Sequence, residues 1–268
     1  MEEQREVVQI KMIQTDKFKM QYACFGKGKR PLVWLSGLSV QSMMLMVDTI
    51  YNAFKPLEDD FTIYLFDRRE DIPSEYPIKE MAKDTALAIN KLELRDICLF
   101  GTSQGGMMAM LIAAWYPNLV YKLILNSTIS YVPQDGLQVL DKWICLAEAK
   151  DGVGLYLDFG EKIYPTRVFD KFRKTLKVAG KWVTDDEFAR FIILAKGIYG
   201  FDARTELDKI TCPVLVTGSD DDAVLGREAS YELAHFLGSQ LYMYKDYGHA
   251  CCDIAPDYKE RMKEFFKG

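Results

Sequence analysis

The sequence FGTSQGG at residues 100–106 decides how this chain is expected to fold. It follows a short apolar run and precedes Gln104–Trp115, which is hydrophobic almost all round. A strand followed at once by a buried helix puts Ser103 on an abrupt turn at the carboxyl edge of a parallel sheet. Gly101 and Gly105 stand two residues to either side, where a side chain would collide with so tight a turn. The free N–H groups of the following helix favour negative charge at the same place.

Short apolar segments recur along the rest of the chain and alternate with longer segments of helical periodicity. Strands joined through helices need crossover connections, which predicts a mostly parallel sheet flanked by helices. The predicted strands are Val7–Gln14, Phe18–Phe25, Leu32–Leu35, Phe61–Phe66, Ile97–Phe100, Leu123–Asn126, Val214–Thr217 and Leu241–Tyr244. The predicted helices outside the middle of the chain are Ser42–Phe54, Ile78–Leu92, Gln104–Trp115, Glu228–Leu237 and Asp257–Phe266. Only three residues separate the first two strands, which predicts an antiparallel hairpin.

The alternation stops between residues 131 and 208. This stretch contains no convincing strand but several amphipathic segments, and a structureless loop of that length would be unusual in a compact domain. Its predicted helical segments are Leu137–Ala149, Arg167–Val178 and Asp186–Ile198. We therefore predict an α/β core formed by residues 1–130 and 209–268, with a helical insertion over residues 131–208.

Composition limits the classes of function. The chain has 268 residues, 49% of them hydrophobic, and a net charge of −5. It has no run of five basic residues and no apolar run long enough to cross a bilayer, so we expect neither nucleic acid nor a membrane as partner. The start of the chain does not look like a signal peptide, and the six cysteines form no CxxC pair. A cytoplasmic monomer or homodimer is expected, although the adjacent Cys251 and Cys252 leave redox activity open.

A G-x-S-x-G pentapeptide is a weak signal by itself and has two competing interpretations. A phosphate-binding loop would need Gly-Lys-Ser/Thr, which is absent here. A plain tight turn stays open unless a base is available, because a serine hydroxyl is a poor nucleophile without one. The chain has two histidines. His235 lies within a predicted helix and is expected on its solvated face, whereas His249 follows the last predicted strand between glycine and alanine and is the candidate base.

A carboxylate is needed to fix the tautomer of that histidine and to stabilise the imidazolium. Three consecutive aspartates, residues 220–222, follow the strand Val214–Thr217 and the turn at Gly218. Two of them can be explained as a solvated acidic loop. The order Ser103, aspartate, His249 is the order of one of the convergent Ser-His-Asp triads.

With these residues the chain resembles the α/β-hydrolase superfamily from the opening hairpin to the last helix. The resemblance implies the α/β-hydrolase fold, a helical cap over residues 131–208, and a catalytic set of Ser103, His249 and Asp221. Asp221 stands three residues after Gly218, where the family commonly has its acid. The alternative acid position, after the sixth strand, is Asn126 here.

The resemblance also implies an oxyanion hole formed by the backbone N–H groups of Gln104 and Leu38. Ser36, Gly37, Thr102 and Met107 are expected to contact the substrate. Many relatives have His-Gly where this chain has Ser36-Gly37, and the family's Asp-x-Arg-Gly-His-Gly stretch is altered to residues 67–72, DRREDI.

Together these features predict a serine hydrolase acting on a small or medium carboxylic ester, thioester or lactone through an acyl-enzyme. No cofactor and no metal are expected, because the chain has no nucleotide or flavin fingerprint and no zinc-ligand spacing. The expected partner is a small-molecule acyl substrate. The same triad could instead catalyse carbon–carbon bond hydrolysis, amide cleavage or cofactor-free perhydrolysis. A small-molecule sensor that binds without turnover is the alternative of another class.

Overall fold

The computed structural model describes residues 8–133 and 136–268. Eight strands form one sheet in the order β1-β2-β4-β3-β5-β6-β7-β8. Their bounds are β1 Ile10–Gln14, β2 Lys19–Phe25, β3 Arg30–Leu35, β4 Phe61–Arg69, β5 Ile97–Thr102, β6 Val120–Asn126, β7 Val214–Ser219 and β8 Gln240–Tyr244. The pairs β1/β2 and β2/β4 are antiparallel and all other neighbours are parallel, which confirms the predicted hairpin and sheet. Val7, at the start of the first predicted strand, lies outside the described residues.

Ten α-helices occur in the described part of the chain. They are α1 Val47–Phe54, α2 Ile78–Lys91, α3 Gln104–Trp115, α4 Gln138–Glu148, α5 Gly152–Ile163, α6 Thr166–Gly180, α7 Asp185–Lys196, α8 Glu228–Leu237, α9 Cys251–Ile254 and α10 Tyr258–Lys267. Side chains alternate across each strand, so both faces of the central sheet are apolar. On β3, for example, Val33 and Leu35 pack with the core that includes α2 and α3, while Leu32 and Trp34 pack with the core that includes α1 and α10.

The order of the strands reverses beside β3. The chain passes from β3 to β4 on one side of the sheet and returns to place β5 on the other side of β3. Parallel strands that diverge in this way leave a crevice at their carboxyl ends, where open α/β sheets bind ligands. The loop after Leu35 and the turn after Thr102 both leave the sheet at this crevice.

Three strands extend beyond their predicted carboxyl ends. β4 continues to Arg69, β5 to Thr102 and β7 to Ser219. Asp67 and Arg68 therefore belong to a buried strand end rather than to a loop, and both are less than 9% exposed.

The segment between β6 and β7 contains α4 to α7. Helices α4, α6 and α7 correspond to predicted segments, whereas α5 was not predicted because Gly152, Gly154 and Gly160 interrupt its pattern. The glycines permit close helix packing: a Cβ built on Gly152 would lie 2.3 Å from the carbonyl oxygen of Gly180 on α6. We call residues 131–208 the cap.

Candidate active site

Ser103 lies on a strained turn between β5 and α3. Its backbone has φ 52° and ψ −120°, a region that residues with a Cβ rarely occupy. The Ser103 N–H donates to the Asn126 carbonyl oxygen at 2.9 Å, and its own carbonyl oxygen accepts from Thr128 Oγ1 at 2.7 Å. These bonds fix the abrupt turn predicted from the sequence.

Close backbone approaches bring two loops together at this serine. A Cβ on Gly105 would lie 2.0 Å from the carbonyl oxygen of Leu35, so the start of α3 packs directly against the end of β3. A Cβ on Gly37 would lie 3.2 Å from Ser103 Cβ. The loop that contains Gly37 therefore passes beside the serine side chain.

The imidazole of His249 is paired with a carboxylate, and that carboxylate belongs to Asp222. His249 Nδ1 lies 2.8 Å from Asp222 Oδ2, and the two residues are only 6% and 8% exposed. The other carboxylate oxygen, Oδ1, accepts from the N–H groups of Val224 and Leu225 at 2.8 and 3.0 Å. An ionised carboxylate only accepts, so Nδ1 carries the proton and Nε2 is left as the basic nitrogen.

The ionised form of Asp222 is favoured in this environment. Burial alone would raise the pKa of Asp222, but the charge of His249 and the hydrogen bonds from His249, Leu225 and Val224 outweigh it. The pKa of Asp222 therefore lies below its ordinary value, and the carboxylate is available to an imidazolium at neutral pH.

The prediction that Asp221 pairs with His249 is corrected by these contacts. The side chain of Asp221 is exposed and accepts from the Gly248 N–H at 3.2 Å. Counting three residues from Gly218 assumes that the turn begins there, but Gly218 pairs with Met243 inside the sheet and β7 ends at Ser219. Asp222 is instead oriented by its own turn, while Asp221 supports the backbone next to the histidine.

The loop that carries His249 reaches back across the sheet to the serine turn. Cys251 Sγ donates to Asn126 Oδ1 at the end of β6, at 3.1 Å. Cys252 Sγ lies 3.9 Å from Oγ1 of Thr102, the residue before Ser103. Within residues 8–133 and 136–268, Ser103 Oγ makes no hydrogen bond, so its hydroxyl is available to donate.

Two backbone N–H groups are available near the serine. Gln104 is the first residue of α3, and the first N–H groups of a helix have no acceptor within it. Leu38 follows Gly37 in the adjacent loop, and its N–H makes no hydrogen bond within the described part of the chain.

A buried arginine that sequence reasoning missed connects these two segments. Arg68 Nη2 donates to the carbonyl oxygen of Ser36 and to Gln104 Oε1, both at 3.0 Å. Gln104 Nε2 in turn donates to the carbonyl oxygen of Leu194 on α7, at 2.8 Å. Burial lowers the pKa of Arg68 to about 10, which still leaves it charged at neutral pH. The guanidinium of Arg68 and the side-chain amide of Gln104 therefore connect the loop after β3, the start of α3 and the cap.

The neighbouring Asp67 makes a second connection to the cap. Its carboxylate accepts from Arg190 Nη2 of α7 at 2.6 Å and also from Ser42 Oγ. The altered residues of the 67–72 stretch are thus used to join core and cap. The signal available in the sequence was a pair of adjacent charged residues at the end of an apolar strand.

The remaining predicted residues differ in their surroundings. Ser36 is 3% exposed and holds Arg68 through its carbonyl oxygen. Thr102 Oγ1 accepts from Trp34 Nε1 at 3.3 Å, and Met107 is 2% exposed within the core that includes α3. His235 is exposed on α8, as predicted.

The thiols of Cys98, Cys251 and Cys252 are expected to be unreactive in the folded protein. Burial raises the pKa of Cys98 and Cys251 to about 12 and that of Cys252 well above its ordinary value. Because the thiolate is the reactive form, these three thiols should react with Ellman's reagent at about pH 8 only after unfolding, whereas exposed Cys145 should react in the native protein. Cys145→Ser should remove the fast phase, and fast labelling of Cys251 or Cys252 in the folded protein would contradict this assignment.

Across residues 8–133 and 136–268, no three His, Cys, Asp or Glu side chains are grouped closely enough to hold a metal ion. In the same residues, no helix has the length and apolar character needed to span a bilayer.

Comparison with known proteins shows the fold and a match to one family model. A family model described as the alpha/beta hydrolase fold matches residues 46–153. The crystal structure of an alpha/beta hydrolase enzyme from a deep-sea metagenome library superposes with a TM-score of 0.85 at 18% identity, covering 96% of this chain and 98% of that one. The chain has the α/β-hydrolase fold, and its residues 46–153 match the model of that family. The fold predicted from the sequence is therefore confirmed, and the family-model match supports the predicted resemblance to the superfamily.

Several proteins similar to this chain differ in what they are named for. Serine hydrolase BPHL from Homo sapiens is 24% identical over 247 residues, covering 86% of this chain and 77% of the relative. A putative carbamate hydrolase, RutD from Agrobacterium fabrum, is 26% identical over 220 residues, covering 78% and 84%. An enol-lactonase from Burkholderia xenovorans superposes with a TM-score of 0.83 at 16% identity, covering 96% and 100%. Hydrolysis is common to these names, whereas the substrate differs.

Proposed function

We propose that this protein is a serine hydrolase that cleaves a carboxylic ester, thioester or lactone of small or medium size through an acyl-enzyme. The observation that carries the proposal is the buried His249–Asp222 pair, on a loop that contacts the residue before Ser103. A buried carboxylate that orients an imidazole beside a strained serine turn is the arrangement that activates a serine nucleophile.

In the proposed reaction, Ser103 Oγ attacks the acyl carbon while His249 Nε2 takes its proton. The Asp222 carboxylate holds Nδ1–H and stabilises the imidazolium that forms. His249 then protonates the leaving alcohol or thiol, and a serine ester remains. Water attacks this ester with His249 again as the base, which releases the acid and restores the hydroxyl.

The developing oxyanion needs donors, and the N–H groups of Gln104 and Leu38 are proposed for this role. Their support is the position of Gly37 against Ser103 and the free N–H at the start of α3. One such donor contributes about 3–4 kcal/mol to transition-state stabilisation. Residues 131–208 are proposed to act as a cap that limits access, because α7 accepts a hydrogen bond from Gln104 itself.

A fluorophosphonate probe and a substrate panel test the proposal. Mass spectrometry should find one phosphonyl group, on Ser103, and p-nitrophenyl esters and simple lactones should be hydrolysed faster than the matching amides. No labelling of Ser103 would favour a non-catalytic sensor. Labelling with cleavage of a carbon–carbon bond or an amide, but of no ester, would replace the proposed reaction with another on the same residues.

Arg68 is expected to act as a positioning residue for the oxyanion donors. Arg68→Met keeps an unbranched side chain but removes the guanidinium and both of its hydrogen bonds, so the Ser36–Leu38 loop loses its fixed distance from α3. A misplacement of about 1 Å costs about 100-fold in rate, so kcat should fall about 10- to 100-fold with little change in KM. Steady-state kinetics with a p-nitrophenyl ester measures both constants.

The matched control is Arg69→Met. Arg69 bonds Asp71, Asp84 and the carbonyl oxygen of Lys17, none of which belongs to the loop after β3 or to α3. The ratio of ester to thionoester hydrolysis should fall in Arg68→Met only, because that ratio reports donors to the carbonyl oxygen. Equal effects of the two variants would contradict a positioning role for Arg68.

A further inference from the structure

The outer surface of the cap concentrates positive charge on one helix. Residues 166–182, which are α6 with the two residues after it, contain six basic side chains and one acidic one, a formal charge of +5. The whole chain carries −5, so the rest of it carries −10. The basic residues are Arg167, Lys171, Arg173, Lys174, Lys177 and Lys181.

All six basic side chains are exposed, and their charges are not neutralised. None of them forms an ion pair with a carboxylate within the described residues, whereas Lys142, Lys150 and Lys196 elsewhere in the cap all do. Arg167 donates only to the carbonyl oxygen of Asp246, and Arg173 lies over the ring of Phe169. Asp170 is the one acidic residue of α6, so this surface presents a net positive charge.

Large apolar side chains are exposed among these charges. Trp182 is 75% exposed, Val178 56% and Phe172 45%. Lys171, Lys174 and Val178 are three and four residues apart and share one helix face. Trp182 lies four residues after Val178. Its N–H donates to the Ala179 carbonyl oxygen, so the chain makes a further helical turn after α6 and Trp182 stays on the same face. We call residues 171, 174, 177, 178, 181 and 182 the cap surface.

The side of α6 that faces away from the cap surface packs against α5. Phe169 is 3% exposed, and a Cβ on Gly180 would lie 2.4 Å from the carbonyl oxygen of Gly152 on α5. The apolar side of α6 is therefore already buried, and the exposed side does not have to rearrange before it binds.

We propose that the cap surface docks the protein on an anionic lipid membrane. Lysine ammonium groups interact with lipid phosphates and with the negative potential of the membrane, while the ring of a tryptophan enters the interface between head groups and acyl chains. The combination of unpaired lysines with exposed Val178 and Trp182 fits that partner better than a purely polar polyanion. The basic residues are spaced along a helix and form no run in the sequence, which is why no membrane partner was predicted.

The segment just before the cap surface contacts the loop that carries His249, whereas the cap surface itself contains none of the proposed catalytic residues. The Ala250 N–H donates to the carbonyl oxygen of Ile163, just before α6, at 3.0 Å. Arg167 Nη2 donates to the carbonyl oxygen of Asp246, three residues before His249, at 2.6 Å.

Vesicle sedimentation with the full chain tests the proposal. Vesicles of phosphatidylcholine alone are compared with a mixture of phosphatidylcholine and phosphatidylglycerol of about three to one. Each lysine near an anionic surface contributes about fivefold to partitioning, so Lys171→Glu with Lys174→Glu and Lys177→Glu should lower binding to the mixed vesicles at least about tenfold. Trp182→Ala should lower it about threefold or more, and wild-type binding should weaken as salt rises.

A matched reversal controls for net charge. The control changes Lys29, Lys55 and Lys91, which are exposed, form no ion pair within the described residues and precede parallel strands at their amino ends. Replacing all three with Glu should alter binding less than about twofold. Ser103→Ala should bind as the wild type does, so failure of the proposed hydrolysis and failure of docking are distinguished. Equal binding to both vesicles, equal loss in the two triple variants, or binding to RNA but not to vesicles would each overturn the proposal.

Discussion

Ser103→Ala is expected to lower kcat/KM for p-nitrophenyl esters at least about 10⁴-fold. The variant removes only the hydroxyl, so no covalent ester can form. Alanine keeps the Cβ with which the turn at φ 52° is already built, and the bonds to Asn126 and Thr128 use the backbone of residue 103. The fold should therefore be unchanged.

Initial rates of ester hydrolysis measure this loss, and the thermal unfolding midpoint checks the fold. Ser239→Ala, at a half-buried serine between α8 and β8, is the matched control and should keep wild-type activity. Retention of more than about a tenth of the activity by a folded Ser103→Ala protein would contradict Ser103 as the nucleophile.

The second prediction with a large expected effect concerns the adjacent residues Asp221 and Asp222, of which Asp222 pairs with His249. Asp222→Asn is expected to lower kcat about 10³- to 10⁴-fold, because an amide facing Nδ1 no longer favours the productive tautomer or stabilises an imidazolium. Asp221→Asn should cost less than about tenfold, since its side-chain oxygen can still accept from the Gly248 N–H. The two substitutions are chemically identical and one residue apart.

Steady-state kinetics of the two variants under the same conditions gives the comparison. The His249–Asp222 contact predicts that the more damaging substitution is at residue 222. A large loss in Asp221→Asn with near-normal activity in Asp222→Asn would restore the assignment made from the sequence and contradict the observed pairing.

The sheet and most helices could be predicted because their signals are local. Buried parallel strands are continuous apolar runs, and the run at residues 97–100 before a hydrophobic helix fixes the turn at Ser103 without long-range information. The first and last residues of strands were less certain. Asp67 and Arg68 are polar, so β4 was expected to end before them, although their charges are satisfied inside the fold by Arg190, Ser36 and Gln104.

The choice among three aspartates could not be made from the sequence. All three follow β7, and which carboxylate faces His249 depends on where the strand ends and on which backbone N–H groups each side chain accepts. The role of Arg68 was hidden for a similar reason: its partners Ser36 and Gln104 are more than thirty residues away in sequence.

The cap shows the same limit of sequence patterns. Helix α5 contains three glycines that lower helix propensity. Close packing against α6 explains Gly152 and Gly160, and this packing is evident only once both helices are in position. The positive charge of α6 was not predicted either, because its basic residues are separated along the chain and come together only on the surface of the helix.

The central claim is that Ser103, His249 and Asp222 act as one unit with the N–H groups of Gln104 and Leu38. A crystal structure of the protein after reaction with a small fluorophosphonate tests it most directly. We predict phosphorus bonded to Ser103 Oγ, one phosphonyl oxygen about 2.7–3.1 Å from both N–H nitrogens, and His249 Nε2 within hydrogen-bond distance of the adduct. Phosphorus on another residue, or a Ser103 adduct whose oxygen faces solvent with His249 turned away, would contradict the claim.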